Sequence, residues 1–199
     1  MNEMIFVVTA PSGAGKTTLI KRLTAEYPRL SFSVSTTTRK PREGEIHGLH
    51  YHFTTDEVFD EMIAQGEFME WAHIHQNRYG TSRKAAMEVL ARGDELLLDV
   101  DMQGGEALRR EFGTRANFIF IVTPSLDVLR ERLMSRGTEN PESLAIRLGN
   151  AKKELTALPS YDFVVVNDDL DRAYEELKSV YTACHYRVSL RPLHPSVLK

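Results

Sequence analysis

The chain opens on a continuous apolar run, Met4 to Thr9 (MIFVVT), in which no residue breaks the pattern to face water. A strand buried on both faces reads this way, whereas a strand with one wet face alternates. Behind it, Leu19, Ile20 and Leu23 recur at helical spacing in a stretch free of Pro and Gly. Further along, Glu95 to Asp101 (ELLLDVD), Asn117 to Val122 and Phe163 to Val166 predict three more buried strands. Helical stretches follow the same rhythm: Ser82 to Arg92 before Gly93, Ser125 to Ser135, and Leu170 to about Tyr186. The last carries Leu170, Ala173, Tyr174, Leu177, Val180, Tyr181 and Cys184 on one stripe. Strands that alternate with helices predict a parallel sheet covered on both sides.

Between about Ser35 and Ser82 the pattern shortens. Phe32 to Ser35 alternates and feeds a loop at Thr36 to Arg42, and Tyr51-His52-Phe53 and Glu67 to Trp71 read as short strands. Thr54-Thr55-Asp56-Glu57 is a capping box that opens a helix from Asp56 to Gln65, ended by Gly66. The expected architecture is an α/β core made of residues 1–34 and 83–199, with residues 35–82 as an inserted, mixed and mostly antiparallel α+β lobe. The tail from Leu190, with Pro192 and Pro195, is expected to be loosely ordered. A length of 199 residues suits one core with such an excursion better than two full domains.

Composition narrows the function without naming it. The chain is 42% hydrophobic and 27% charged, as a soluble globular protein is, and no apolar stretch approaches the roughly 20 residues of a membrane span. Met1-Asn2-Glu3-Met4 lacks the basic start of a secretory signal, and the single Cys184 excludes an internal disulfide, so a cytoplasmic protein is expected. On its apolar stripe Cys184 reads as a buried, inert thiol. A net charge of −3 argues against a long nucleic acid as the main partner but leaves small phosphate ligands open. Oligomeric state is not written in the pattern.

The chemistry starts directly after the first strand, at Ala10-Pro11-Ser12-Gly13-Ala14-Gly15-Lys16-Thr17-Thr18. Gly13 and Gly15 permit backbone conformations that turn successive N–H groups onto phosphate oxygens, Lys16 adds charge, and Thr17 offers its hydroxyl to a magnesium ion. The order strand, loop, helix places a helix N-terminus under the phosphates. Ala10 stands where the strict phosphate-loop pattern has glycine. Asp99 and Asp101 end a central strand, two residues apart on one strand face, where such proteins keep acids near the metal. Arg132 and Arg136 are one helical turn apart and Arg147 follows on the next helix. With Gly137 and Pro141 at the bend, residues of about 132–147 read as a helical lid, although salt bridges to Glu131 and Glu139 would also explain the charges. In the insert, Arg39 and Arg42 stand with Tyr51, Glu70, Tyr79 and Thr81, a set suited to an isolated phosphate beside specific donors. The pairs His50/His52 and His73/His75 alternate, but no cysteine or third ligand at a diagnostic spacing joins them.

Several separated blocks then fix a resemblance: APSGAGKTT, FSVSTTTRKPREGE, GLHYHF, GEFMEWA, RYGTS, DVDMQGG and VVNDD. Over essentially its whole length the chain resembles the guanylate kinases, small bacterial P-loop kinases of nucleoside monophosphates. The resemblance implies that Arg39, Arg42, Tyr51 and Tyr79 bind the phosphate of GMP, that Ser35, Glu70, Thr81 and Asp101 read its guanine, and that Asp99 also belongs to the GMP site. It implies ATP at residues 10–18 with Asn167 near the adenine, and Mg2+ at Thr17. Lys16, Arg39, Arg132, Arg136 and Arg147 would surround the transferring phosphoryl group. The implied reaction converts ATP and GMP, or dGMP, reversibly to ADP and GDP. Guanine presents N1–H and an exocyclic amine side by side, and an ionised Glu70 accepts both. Two other readings remain: a guanylate-kinase-like binding module without catalysis, which should show a degraded phosphate loop, and a P-loop kinase for another small phosphorylated acceptor.

Overall fold

The computed structural model describes residues 3–74, 76–135 and 141–187. Five strands, β1 (Ile5–Thr9), β2 (Leu30–Phe32), β7 (Glu95–Asp99), β8 (Ala116–Val122) and β9 (Phe163–Val166), form one sheet in the order β2-β7-β1-β8-β9, every neighbouring pair parallel. The unbroken apolar runs are explained by the two cores they separate. On one face Phe6, Val8, Leu97, Ile119 and Val165 pack with α1 (Lys16–Glu26) and α7 (Leu170–Cys184). On the other, Ile5, Val7, Leu96, Leu98 and Phe118 pack with α3 (Arg83–Ala91) and α4 (Met102–Phe112). On the α7 stripe Ala173, Tyr174, Leu177, Tyr181 and Cys184 are buried and Val180 is partly buried, while Leu170 in the first turn is exposed. Cys184 is 1% exposed and burial pushes its thiol up to about 11, so it is inert.

A second sheet takes its strands from residues 36–82: β3 (Thr36–Thr37), β4 (His52–Phe53), β5 (Phe68–Ile74) and β6 (Asn77–Ser82), in the order β4-β3-β6-β5. Its β3–β4 pair is parallel and the other two are antiparallel. Helix α2 (Asp56–Ala64) starts on the expected cap, with the Thr55 side chain accepting from the Val58 N–H. Arg78, 8% exposed, ties α2 to β6 through Asp56 and Asp60. Helices α5 (Leu126–Met134) and α6 (Pro141–Leu155) pack on each other through Leu129, Leu133 and Ala151. Arg136, Gly137 and Glu139, His75, and the tail from Leu190 lie outside the described residues.

Two expectations are corrected. Phe32 to Ser35 is not one strand: β2 ends at Phe32 and β3 begins at Thr36 in the other sheet, so this segment is the crossing between sheets. Asp101 does not share a strand face with Asp99. β7 ends at Asp99, and Asp101 is the N-cap of α4, its Oδ1 accepting from the Gly104 N–H at 2.9 Å.

Candidate active site

The chain leaves β1 toward β2 on one side of the sheet and leaves β7 toward β8 on the other, so connections diverge at the carboxyl ends of these two adjacent strands. Open α/β sheets place ligands at such a point. Here a cavity of about 590 Å³ opens, lined by the loop after β1, by Asp99 to Gln103 at the end of β7, by Glu70 and Tyr79 of the second sheet with Ser35 and Tyr51 just before its strands β3 and β4, and by Arg147 and Glu154 of α6. Nucleotide-sized ligands occupy cavities of this order.

On the loop side the receptor is backbone. Gly13 and Gly15 have φ of 99° and 91°, the left-handed region that side chains avoid, as the sequence requires. The helices α2, α3, α4, α5 and α7 each carry a side-chain N-cap, whereas α1 begins at Gly15 with none, leaving its first N–H groups without an internal acceptor. The loop is braced from behind. Asn167, 3% exposed at the end of β9, donates from Nδ2 to the Ala14 carbonyl at 2.7 Å. It is packed so closely that a Cβ on Gly15 would sit 2.2 Å from that nitrogen. The side chain expected near adenine thus holds the phosphate loop in shape. Lys16 rests against Asp99 and donates to the Val100 carbonyl at 3.0 Å, with Thr17 beside it on the cavity wall.

On the opposite side the receptor is made of side chains. Glu70, 8% exposed on β5, accepts from the Thr81 hydroxyl at 2.6 Å. A β-bulge brings it there: the register advances from Phe68↔Ser82 to Glu70↔Thr81, so Met69 and Glu70 are both buried in succession. Burial, and then the charge of Asp101, push the Glu70 carboxyl up to about 7, while the Thr81 hydroxyl pulls the other way. Burial likewise raises Asp101, opposed by the Gly104 N–H and by Lys16. Thr81 is 1% exposed and off the cavity wall, so its hydroxyl acts on Glu70 rather than facing the cavity.

The basic loop is internally paired. Arg39 makes a two-pronged contact with Glu45, Nη1 to Oε2 at 3.0 Å and Nη2 to Oε1 at 2.8 Å, with its guanidinium 5.3 Å from the Tyr51 ring centroid. The Arg42 N–H donates to the same carboxylate at 2.7 Å. Arg39 first, then the Arg42 amide, hold Glu45 down at about 2. Tyr51 and Tyr79 meet edge to face with centroids 5.9 Å apart, so Arg39, Tyr51 and Tyr79 do converge. Glu45 therefore stands where the sequence reading puts a phosphate, on the same fork of Arg39.

Of the lid arginines, Arg147 lines the cavity, while Arg132 turns away to donate to the Asp168 carbonyl at 3.1 Å. Three residues escape the sequence reading: Glu45, Gly104 and Glu154. Glu154 lines the cavity with one buried carboxylate oxygen unpartnered, and burial raises it above the usual carboxylate range. Only its heptad-like distance from Arg147 on one helix could have flagged it. Among the described residues, which do not include His75, no group of three or more His, Cys, Asp or Glu is placed to hold a metal ion.

A family model described as guanylate kinase matches residues 2–184. The guanylate kinase of Nitratidesulfovibrio vulgaris is 49% identical over 178 residues, 89% of this chain and 86% of that protein. The guanylate kinase of Syntrophotalea carbinolica is 46% identical over 94% of this chain and 89% of its own length. The crystal structure of guanylate kinase from Anaplasma phagocytophilum superposes with a TM-score of 0.75 at 28% identity, covering 94% of this chain and 88% of that one.

Proposed function

The chain belongs to the guanylate kinase family, and we propose that its cavity joins ATP, held by the loop after β1, to GMP, held by the second sheet. It is an ATP:GMP phosphotransferase, a nucleoside monophosphate kinase. The observation that carries the assignment of the two sides is Glu70: a carboxylate buried at 8% exposure, set on the cavity wall and held by Thr81 with no cationic side chain bonded to it. A binding module would have no need of it beside an intact phosphate loop.

The loop amides and Lys16 hold the β- and γ-phosphates, and Lys16 exchanges Asp99 for phosphate as ATP enters. Thr17 and the nearby carboxylates are hard oxygen donors, the kind Mg2+ takes, and with no dedicated acidic cage among the described residues the ion would rely on Thr17, the phosphates and water. When bound it would neutralise charge that develops between the phosphates. Arg39, Arg42, Tyr51 and Tyr79 take the GMP phosphate, for which Arg39 must leave Glu45. Arg147 closes on the transferring group from α6. The attacking oxygen is already anionic, so alignment and charge neutralisation, not a strong base, supply the rate. dGMP is accepted because the reader contacts the base. We place the activity in the cytoplasm, where a lone thiol such as Cys184 stays reduced.

Ionised Glu70 offers guanine two acceptors, matching its N1–H and amine. AMP would leave that buried carboxylate facing a lone pair, a defect on the order of 10⁴ in discrimination. A coupled ADP-release assay with GMP, dGMP, AMP, IMP and CMP tests the reading. GMP and dGMP should turn over and AMP and CMP hardly at all. No GMP-dependent turnover ends the proposal, and equal rates with AMP end the role of Glu70.

A further inference from the structure

The oxygen of Glu70 that the Thr81 hydroxyl does not bind faces the first turn of α4, at the third of the four residues, Met102-Gln103-Gly104-Gly105, that follow the Asp101 cap. A Cβ built on Gly104 would lie 2.6 Å from Glu70 Oε2, 3.1 Å from its Cδ and 3.0 Å from the Val100 Cβ. Contacts under about 3 Å to a carbon are deep in the repulsive wall, so either the carboxylate or the helix would have to move. The helix has little freedom. Its N-terminus is fixed by Asp101 Oδ1 on the Gly104 N–H, and α4 packs against β5. The strand is fixed as well, by the bulge at Met69 and its pairing to β6. The carboxylate is what gives.

Gly104 has no conformational reason to be glycine, since it sits inside a regular helix where glycine costs about 1 kcal/mol relative to alanine. Steric room for Glu70 is the offsetting gain. Gly105 makes the contrast: its Cβ would meet the Tyr161 hydroxyl at 2.3 Å and Thr9 Oγ1 at 3.2 Å, on the side away from Glu70.

We propose that Gly104 is a specificity-determining position of this kinase, which by lacking a side chain leaves the Glu70 carboxylate the space to stand squarely on the guanine edge. It positions Glu70 and touches no substrate. The proposal rests on Glu70 as the guanine reader. A methyl group at 104 displaces Oε2, spoils the two-pronged match to guanine and excludes water from the carboxylate, which favours its neutral form. The charged group facing Glu70 from the packed elements is Asp101, whose charge acts in the same direction.

The test is steady-state kinetics of Gly104→Ala in the wild-type and Glu70→Ala backgrounds, the latter emptying the contested space, with thermal melting of each protein. In the wild-type background the KM for GMP should rise about tenfold or more, with kcat and the KM for ATP nearly unchanged and the preference for GMP over IMP reduced. The acid limb of kcat/KM for GMP should move to higher pH. In the Glu70→Ala background the added methyl group should change none of these. An unchanged KM for GMP, or an equal rise in both backgrounds, overturns the proposal. Should Gly104→Ala alone fail to fold, Glu70→Ala must restore its melting transition. No restoration assigns the clash to Val100 and overturns the proposal too. If the wild-type protein does not turn over GMP at all, the reading of Glu70 fails first and this one with it.

Discussion

The two sides of the cavity are built by opposite means, and on the proposed function they recognise their nucleotides accordingly. The donor side is nine consecutive residues, Ala10 to Thr18, whose binding groups are mostly backbone amides and whose shape is set by two left-handed glycines and a brace from Asn167. The acceptor side gathers side chains from β5, β6, the cap of α4 and two loops, and its polar groups are already engaged with each other before any nucleotide arrives. Backbone amides accept any polyphosphate, so the donor side binds tightly and selects weakly. A buried carboxylate accepts one edge pattern, so the acceptor side selects strongly at a cost in stability.

That contrast can be broken most severely at Lys16. Lys16→Met should lower kcat by about 10³-fold while melting stays close to wild type, because the lysine meets the transferring charge but is only partly buried against Asp99. Near-normal turnover in that variant would remove the donor side's one essential side chain from the account.

The next largest effect is on pH. Glu70 titrates near 7 instead of its ordinary 4.5, so kcat/KM for GMP should fall as pH drops below about 7, approaching tenfold per unit. The GMP phosphate also titrates near pH 6, so the decisive comparison is with Glu70→Gln, in which the Glu70 limb should vanish. For stability the sign reverses. The folded protein binds this proton more tightly than the unfolded chain, so the contribution of Glu70 is fully present below pH 4.5 and is lost as pH rises to about 7. Above that pH, Glu70→Gln should melt no lower than wild type. A clear drop in its melting temperature at pH 8 would mean that the carboxylate supports the fold.

The smallest effect sharpens the donor side. Asn167→Ala removes one buried hydrogen bond to the Ala14 carbonyl, worth about 1 kcal/mol of stability, and should raise the KM for ATP a few-fold while leaving that for GMP alone. Equal changes for both nucleotides would deny the loop brace.

The same contrast explains what was legible in the sequence. β1, β7, β8 and β9 are mainly apolar runs and the phosphate loop is contiguous, so the core and the donor side could be read from local pattern. The α4 helix could not: Gly104 and Gly105 sit in its first turn and resemble a loop, which is why Asp101 looked like a strand residue rather than a cap. β6, NRYGTS, is too polar to announce a strand. Glu45 on Arg39 and the orphaned oxygen of Glu154 arise from pairings that no local spacing encodes. The bulge that aims Glu70 is likewise a property of two paired strands, not of either one alone.

The central claim is that one carboxylate decides which nucleotide is phosphorylated, and the ratio of kcat/KM for GMP to that for AMP in wild type and Glu70→Gln tests it most directly. An amide offers one acceptor and one donor, a mismatch for guanine's two donors and a match for adenine's N1 and amine. The ratio should therefore collapse by about 10² or more in the variant, with the KM for ATP unchanged. A ratio that survives the substitution would show that guanine is selected elsewhere, and would contradict the account.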